Sequence, residues 1–343
     1  MSNLDGVKMT MQKMSLVAAV AAMMAGTAFA QSNVTIYGEL DAGVGQRYYD
    51  AAGNKERGVI TNYDGTSRWG LRGSEDLGNG LKADFNLESG AIDLKSGSIG
   101  GNGGFNRQAW VGLSGGFGSV MIGRTTTPQN RIMGQFDLND TADGSSALKA
   151  VRLEANGSFG GSRQDAQIQY ATPKLNGFQG RIAYVPEDNR TGGDPASNNK
   201  AFVQGAVEYK NGGLAIGAAV QSKLVKNSTD ARTGYAVAAK YDFTSFVISG
   251  LYTQDESKAV GRGFGLGAAV PLGNLTAGLQ VARITDSSVS AWEDATAFEL
   301  FGDYKLSKRT RLYANYGRVN KEAQNGRNYG SKNTFGLGVV HKF

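Results

Sequence analysis

The chain of 343 residues contains no cysteine, only one histidine and five prolines. Without cysteine it can form no disulfide, no thiolate zinc site and no cysteine nucleophile. The single histidine, His341, is the third residue from the C-terminus, which argues against a Ser-His-Asp triad or a multi-histidine metal site. No run of 18 apolar residues occurs, so the sequence offers no helix of the length that spans a bilayer.

Glycine, in contrast, is abundant: the chain has 50 glycines, about twice the usual share. Only 40% of the residues are hydrophobic, and 36 basic residues against 30 acidic ones give a formal net charge of +6. This mild excess suits a phosphate, lipid or anionic solute as partner. Length alone suggests two domains, but large barrels are single domains of this size.

The N-terminal residues have the pattern of a secretory signal peptide. Lys8 and Lys13 precede an apolar stretch from Leu16 to Phe29, and Ala28 and Ala30 are the small residues of a cleavage site. We therefore expect cleavage after Ala30, so that residues 1–30 are removed and 31–343 form one barrel domain. A buried core helix is the alternative for this stretch. Translation could also begin at Met9, Met11 or Met14.

A period of two residues runs along the rest of the chain. In Leu81–Glu88 the odd positions are apolar and the even positions are polar or charged, which indicates a two-faced β-strand and not an amphipathic helix. A helical period occurs only in the signal and, weakly, around Ala147–Glu154. The same alternation predicts strands at Val34–Val44, Asp165–Ala171, Phe178–Val185, Leu214–Lys223, Thr233–Asp242, Gly263–Val270, Leu275–Ala282, Thr296–Leu306 and Lys332–Phe343.

Short and long connections alternate between these strands. The short ones, rich in Gly and Asn, lie at 77–80, 115–118, 174–177, 211–213, 243–245, 272–274 and 307–310. The long polar ones lie near 45–66, 89–106, 125–162, 186–200, 224–232, 255–261, 285–294 and 320–331. They separate sixteen strands of about ten residues, the length that crosses a membrane at a tilt. The predicted fold is therefore all-β, a 16-stranded antiparallel transmembrane β-barrel; a soluble sandwich is the alternative.

Five segments carry a family resemblance: Gln31–Leu40, Ser67–Gly78, Arg107–Leu113, Gly118–Arg124 and the ending His341-Lys342-Phe343. In sequence and in order they resemble the general, non-specific porins of Gram-negative outer membranes, of the beta-proteobacterial and neisserial type. The resemblance implies a homotrimer of 16-stranded barrels in the outer membrane, surrounded by lipid and lipopolysaccharide. It also implies that each barrel has its own water-filled pore for the passive transport of ions and small hydrophilic solutes.

The terminal Phe343 lies at an odd position, like Phe335, Leu337 and Val339, and so has the same parity: in a strand, these side chains share one face. This ending is similar to the signal that the barrel assembly machinery reads in the family, although a plain last strand is the alternative. His341 falls on the same outward parity, so we interpret it as structural and not as a ligand.

The connection from Thr125 to about Ser162 is the longest one, and loops of that length are usually functional or disordered. In the family the corresponding third loop folds into the barrel and narrows it, and we expect the same here. The apolar residues Ile132, Met133, Phe136 and Leu138 could pack on the inner wall while charged residues face water. Those charged residues are Asp137, Asp140, Asp143, Glu154, Arg131, Lys149 and Arg152. A solvated external loop is the alternative.

Opposite this loop we expect a basic wall. Arg68 and Arg72 share the polar parity of their strand, and Arg163 aligns with Asp165, Gln167 and Gln169. The orientation of Arg107 and Arg124 is ambiguous. Each occupies one of the alternate positions that carry the apolar residues of its strand, so each needs a bulge or a strand end to turn inward. By resemblance, Arg68, Arg107 and Arg163 match the constriction arginines of the family, and Glu88 matches an acid facing them.

These features predict a general diffusion channel with modest anion preference, because clustered arginines attract anions. A substrate-specific anion channel, for phosphate or small organic acids, is the alternative, as is an adhesive surface protein. A barrel enzyme is disfavoured because the only histidine lies at the chain end. The sequence shows no phosphate-binding loop, no nucleic-acid module and no complete calcium loop, so no cofactor, metal or nucleic acid is expected.

Overall fold

A computed structural model describes residues 33–48, 56–100, 104–153, 161–186, 201–223, 233–255 and 261–343. The predicted signal peptide lies outside these residues. Within them, sixteen long strands form the wall. They are β1 (Asn33–Gln46), β2 (Arg68–Gly78), β3 (Leu81–Gly90), β4 (Gln108–Gly115), β5 (Gly118–Thr126), β6 (Arg163–Ala171), β7 (Phe178–Val185) and β8 (Phe202–Asn211). The second half comprises β9 (Leu214–Lys223), β10 (Thr233–Asp242), β11 (Val247–Asp255), β12 (Arg262–Leu272), β13 (Leu275–Asp286), β14 (Thr296–Lys305), β15 (Thr310–Val319) and β16 (Asn333–Lys342).

The sheet closes on itself. Each wall strand is antiparallel to the next, and β1 pairs with β16 from Glu39 opposite Lys342 to Gln46 opposite Phe335. A short strand, Arg57–Thr61, pairs with the end of β1. Closure leaves the sixteen described wall strands without an open edge, which is the condition for placing strands in lipid. The predicted 16-stranded antiparallel barrel is confirmed.

The two faces of the wall differ as the alternation predicts. On β1, Val34 and Ile36 are 60% and 65% exposed, whereas Glu39 and Asp41 are 4% and 0% exposed. The exposed apolar side chains therefore form the outer face of the barrel, and the polar side chains face its interior. One apolar residue in two is enough to cover the outer face, which explains the low hydrophobic content of the chain.

The two ends of the barrel also differ. Tight connections such as Asn79-Gly80 join the strands at one end, and both residues have positive φ, 54° and 77°. Asn and Gly adopt this left-handed conformation most readily, so the sequence pattern located the turns correctly. All seven predicted short connections are present. We call this the short-turn end and the opposite one the long-loop end.

Besides 125–162, three predicted loops contain regular structure; in the loop near 89–106, the short strands Ile92–Asp93 and Ser98–Ile99 pair with each other. The helix Lys321–Arg327 lies inside the predicted loop 320–331; the Asn320 side chain accepts a hydrogen bond from the Ala323 amide at its start, and Asn328 ends it with φ of 55°. Seven residues are too few to show a helical period in the sequence. The strand Arg57–Thr61 lies inside the predicted loop 45–66. No helix in the described part of the chain is long and apolar enough to cross a membrane.

The described residues between β5 and β6, 127–153 and 161–162, are called the loop segment here. They were expected to lack regular structure, but they contain the helices α1 (Pro128–Met133) and α2 (Ala147–Ala150) and a 3-10 turn, Gly134–Phe136. The weak helical pattern at 147–154 corresponds to α2. Ile132, Met133 and Phe136 are buried, and a side chain placed at Gly217 of β9 would meet Phe136 at 2.6 Å. The loop segment thus packs on the face of the wall that lies opposite the exposed apolar side chains.

Candidate functional site: charged residues inside the barrel

Two arginines and two glutamates form a cluster on the wall made by β1 to β4. The Arg68 guanidinium donates from Nη2 to Glu39 Oε2 at 3.1 Å. Glu88 lies between the arginines, because its Oε1 accepts from Arg107 Nε at 2.6 Å and its Oε2 is 3.8 Å from Arg68 Nε. The Tyr37 hydroxyl also donates to Glu88 Oε2, at 2.9 Å. Glu88 therefore holds two guanidinium groups side by side.

Arg107 reaches this cluster because it precedes its strand. On β4, Val111 and Leu113 are exposed on the outer face, so simple alternation would direct Arg107 outward as well. The strand begins only at Gln108, and the Arg107 amide donates to the Glu88 carbonyl at 3.0 Å just before it. A strand end, one of the two conditions that sequence reasoning required, is what turns Arg107 inward.

Arg163 is the first residue of β6, and a bulge separates it from the rest of the strand. Ala166 has a φ of 49°, the pairing with β5 shifts register there, and both Gln164 and Gln167 are buried. The predicted alignment of Arg163 with Gln167 and Gln169 by parity is therefore wrong, because alternation does not cross a bulge. Among the described residues, no carboxylate lies within ion-pair distance of Arg163, and its buried Nε has no hydrogen-bond partner.

Arg124 and Arg72 lie away from this cluster. Arg124 donates from Nε to the Asn106 carbonyl at 2.6 Å and pairs through Nη1 with Asp165 at 2.5 Å. Arg72 points into the barrel nearer the short-turn end, where its guanidinium carbon lies 4.9 Å from the centre of the Tyr37 ring. The structure thus brings Arg68 and Arg107 together and leaves Arg72 and Arg124 in different surroundings.

Asp143 connects the loop segment to the wall. Its Oδ1 accepts from Lys149 Nζ at 2.5 Å, and its Oδ2 accepts from the Thr66 hydroxyl at 2.6 Å. Burial alone would raise the pKa of Asp143, but the Lys149 ammonium and the two hydrogen bonds outweigh it and lower this pKa below its usual value. Asp143 therefore remains charged near neutral pH.

The other predicted loop residues differ in exposure. Asp140 and Arg131 are exposed, whereas Asp137 is buried and accepts from Gln280 Nε2 at 2.8 Å. Asp137 thus acts within the packing of the loop segment and does not face the interior water. Glu154 lies outside the described residues.

Glu299 on β14, which the sequence did not single out, binds the loop segment directly. Its carboxylate is fully buried and accepts from Asn139 Nδ2 and Ser145 Oγ, both at 2.7 Å. Gln280 Nε2 at 2.9 Å and the Ala147 amide at 3.3 Å complete its four donors. A single glutamate among alternating residues gives no sequence signal for partners about 150 positions away.

A second unpredicted group surrounds Arg311 on β15. Arg311 pairs with Asp64 and, at 2.8 Å, with Asp303. Burial raises the pKa of Asp64, and the Arg311 charge offsets part of this rise. Lys342 lies 3.6 Å from Glu39 and extends the network to β16. The only available sequence signal was the polar parity of Arg311.

These groups surround an opening between the wall and the loop segment. Its charged lining is Arg68, Arg107, Lys149, Arg163, Arg311 and Lys342, together with Glu39, Asp64, Asp140 and Asp143. Six cationic side chains therefore face four anionic ones, so a small solute here meets a net positive potential.

Known proteins share both the sequence and the architecture. A family model for Gram-negative porins matches residues 16–324. The chain belongs to the Gram-negative porin family. Outer membrane porin protein 32 of Delftia acidovorans is 35% identical over 326 residues, which cover 91% of each chain. A porin of Bordetella pertussis is 30% identical, and the match covers 97% of this porin and 100% of the Bordetella protein.

Solved structures agree with the barrel. An anion-selective porin from Comamonas acidovorans has a TM-score of 0.72 and 27% identity, covering 91% of this porin and 100% of that chain. OmpF of Salmonella typhi has a TM-score of 0.67 at 16% identity, covering 90% and 97%, and so shares the fold. The protein is thus an outer-membrane β-barrel of the porin family.

The last residue of this porin completes the closure of the barrel. Phe343 and Gly38 exchange backbone hydrogen bonds of 3.0 and 3.1 Å, and the Phe343 side chain is exposed. Phe335, Leu337 and Val339 are exposed on the same face, as their parity predicts. His341 is exposed and shares a 2.9 Å hydrogen bond with the Thr310 hydroxyl. The role of Phe343 in assembly stays a prediction.

Proposed function

We propose that this porin forms a water-filled diffusion channel for ions and small hydrophilic solutes, with a modest preference for anions. The observation that carries the proposal is the lining of the opening, where six cationic side chains face four anionic ones. Among these six, Arg163 has no carboxylate of the described residues within ion-pair distance. The structurally similar porin from Comamonas acidovorans is described as anion-selective, which agrees with this sign.

The loop segment sets the width of the channel in this proposal. Its apolar residues pack at Gly217, Asp143 reaches Thr66 beside β2, and Glu299 accepts from three of its residues. These contacts support a segment that lies inside the barrel and leaves an opening along the arginine-bearing wall. Arginines on that wall and aspartates on the segment create a transverse field, which favours charged and dipolar solutes over apolar ones.

The anion preference should vary little with pH near neutrality. Arginine remains protonated at any physiological pH, and four of the six lining cations are arginines. The partly compensated arginine charge is consistent with a modest selectivity rather than an exclusive one.

Reversal potentials in planar bilayers, under a KCl gradient, test this function. We expect the wild-type potential to have the sign of a chloride-selective pore. The double variant Arg68→Ser/Arg163→Ser removes two of the six lining cations, so it should lose most of the preference. Arg318→Ser, an exposed position outside the opening, is the matched control and should behave as wild type. Cation preference of the wild type, or an unchanged potential in the double variant, would contradict the proposal.

A specific anion channel for phosphate or small organic acids uses the same arginines. Single-channel conductance measured against salt and solute concentration separates the two. A general channel gives conductance that rises linearly with salt, whereas a specific site gives saturation and block by its solute.

We also propose that the mature porin, cleaved after Ala30, assembles as a homotrimer in contact with lipid and lipopolysaccharide. A porin-like neighbour from Vibrio cholerae, OmpT, is described in a trimer form. Native mass spectrometry of the protein extracted from outer membranes tests both points, since it gives the subunit mass and number. A full-length subunit or a monomer would overturn the corresponding part.

A further inference from the structure

A recess in the inner wall lies between the arginine cluster and the short-turn end. The antiparallel register places Arg72, Asn86, Trp110 and Gly123 in one row across β2 to β5. This row lies on the inner face of the wall, because Val111, which follows Trp110 on β4 and points the opposite way, is 62% exposed on the outer face. The row lies four residues along β2 from Arg68, a distance of about 13 Å. The recess is therefore separate from the opening described above.

Two glycines next to Trp110 on the inner face, Gly112 and Gly123, add no side chain beside its indole. A Cβ at Gly123, beside Trp110 on the next strand, would lie 2.9 Å from the Trp110 Cα. Gly112 follows Trp110 on the same face, and a Cβ there would meet Met121 at 3.1 Å. The Trp110 Nε1 donates to Gln108 Oε1 at 3.1 Å, which fixes one edge of the ring. The resulting cavity is about 510 Å³, large enough for a small ring compound.

A positive charge borders this aromatic surface. The Arg72 guanidinium is exposed and rests over the Tyr37 ring, and no carboxylate of the described residues pairs with it. Asp84, the acid that lines the recess, accepts instead from the Ser114 hydroxyl at 2.5 Å. A planar arginine without an acidic partner recognises a carboxylate through paired N–H donors.

We propose that this recess binds aromatic monocarboxylates, with the ring stacked on Trp110 and the carboxylate on Arg72. The inference rests on the proposed channel function, because the pore is the route by which a solute reaches the recess. The other tryptophans cannot replace Trp110: Trp69 is on the outer face, and Trp292 is 5% exposed. Such a site would hold an aromatic anion after it passes the arginines and raise its local concentration at the short-turn end.

Calorimetric titration of the purified porin in detergent tests the proposal with benzoate and cyclohexanecarboxylate, which share a carboxylate and differ in the π-face. We expect benzoate to bind about fivefold more tightly, the effect of an aromatic contact beyond burial. Trp110→Leu should remove this difference, and Trp110→Phe should keep part of it. Arg72→Gln should weaken both ligands about tenfold, as the loss of a charged hydrogen bond does.

Trp69→Leu, on the outer face, is the matched control for Trp110→Leu. Lys82→Gln, elsewhere on β3, is the matched control for Arg72→Gln. Both control variants should bind the two ligands as wild type does. Equal binding of the two ligands to wild type, or a benzoate preference that survives in Trp110→Leu, would overturn the site. Heat-modifiable migration on gels checks that each variant is folded. Calorimetry requires no conductance, so a failed selectivity measurement with intact benzoate binding would refute the proposed function and leave this site standing.

Discussion

Glu299→Gln should loosen the loop segment without altering the barrel wall. In the wild type, each carboxylate oxygen of Glu299 accepts two hydrogen bonds, from Asn139 and Ser145 on one side and from Gln280 and Ala147 on the other. Glutamine replaces one of these oxygens by a donor, so two buried donors lose their acceptor whichever way the amide turns. At about 1–3 kcal/mol for each unsatisfied group, the anchoring of the segment should weaken by about 2–6 kcal/mol.

Native-state hydrogen exchange measures this change locally. A loss of about 2 kcal/mol raises the exchange rate of an amide that opens with the segment about 30-fold, so peptides containing Ala147 should exchange at least that much faster. The exchange rates of peptides from the strands of the barrel wall should be unchanged. If the loop segment narrows the pore, the single-channel current should also become noisier. Glu293→Gln, an exposed glutamate in a nearby loop, is the control. Unaltered exchange around Ala147 would refute the idea that Glu299 anchors the segment.

Three further perturbations test other parts of the structure. Asp143→Asn should lower the unfolding temperature relative to wild type. This difference should be largest above pH about 3.9, the ordinary aspartate pKa, and should shrink as the pH falls through the lowered pKa that Asp143 has in the folded protein. A difference that grows on acidification would contradict a stabilising role of the Asp143 charge. Gly217→Val should displace Phe136 and cost about 1–3 kcal/mol in denaturant unfolding, whereas Gly302→Val, whose nearest neighbour is at 3.8 Å, should cost less; equal losses would remove Phe136 from the explanation. Deletion of Phe343 should reduce the amount of folded barrel in outer membranes, measured by heat-modifiable migration, more than Phe335→Ala does; equal yields would refute a specific role in recognition by the barrel assembly machinery.

The arginines show how far parity can be trusted. Within an uninterrupted strand it is reliable: Arg68 and Arg72 both face the interior, as alternation predicts. Arg163 contradicted the parity argument, because the positive φ of Ala166 breaks the alternation inside β6. Arg107 turned inward because its strand starts one residue later. Such local departures from regular pleating depend on packing against neighbouring strands, and no pattern in the sequence announces them.

The sequence by itself determined the strands, their two faces and the short turns, because each depends on residues close together in the chain. Alternation selects the lipid-facing side of every strand, and Asn and Gly mark the turns that need positive φ. Only the tertiary structure decided which charges meet. Glu299 binds residues about 150 positions earlier, and Arg311 binds Asp64 across the barrel closure. These pairs depend on closure of the sheet and on the path of the loop segment, and both arise from contacts between distant parts of the chain.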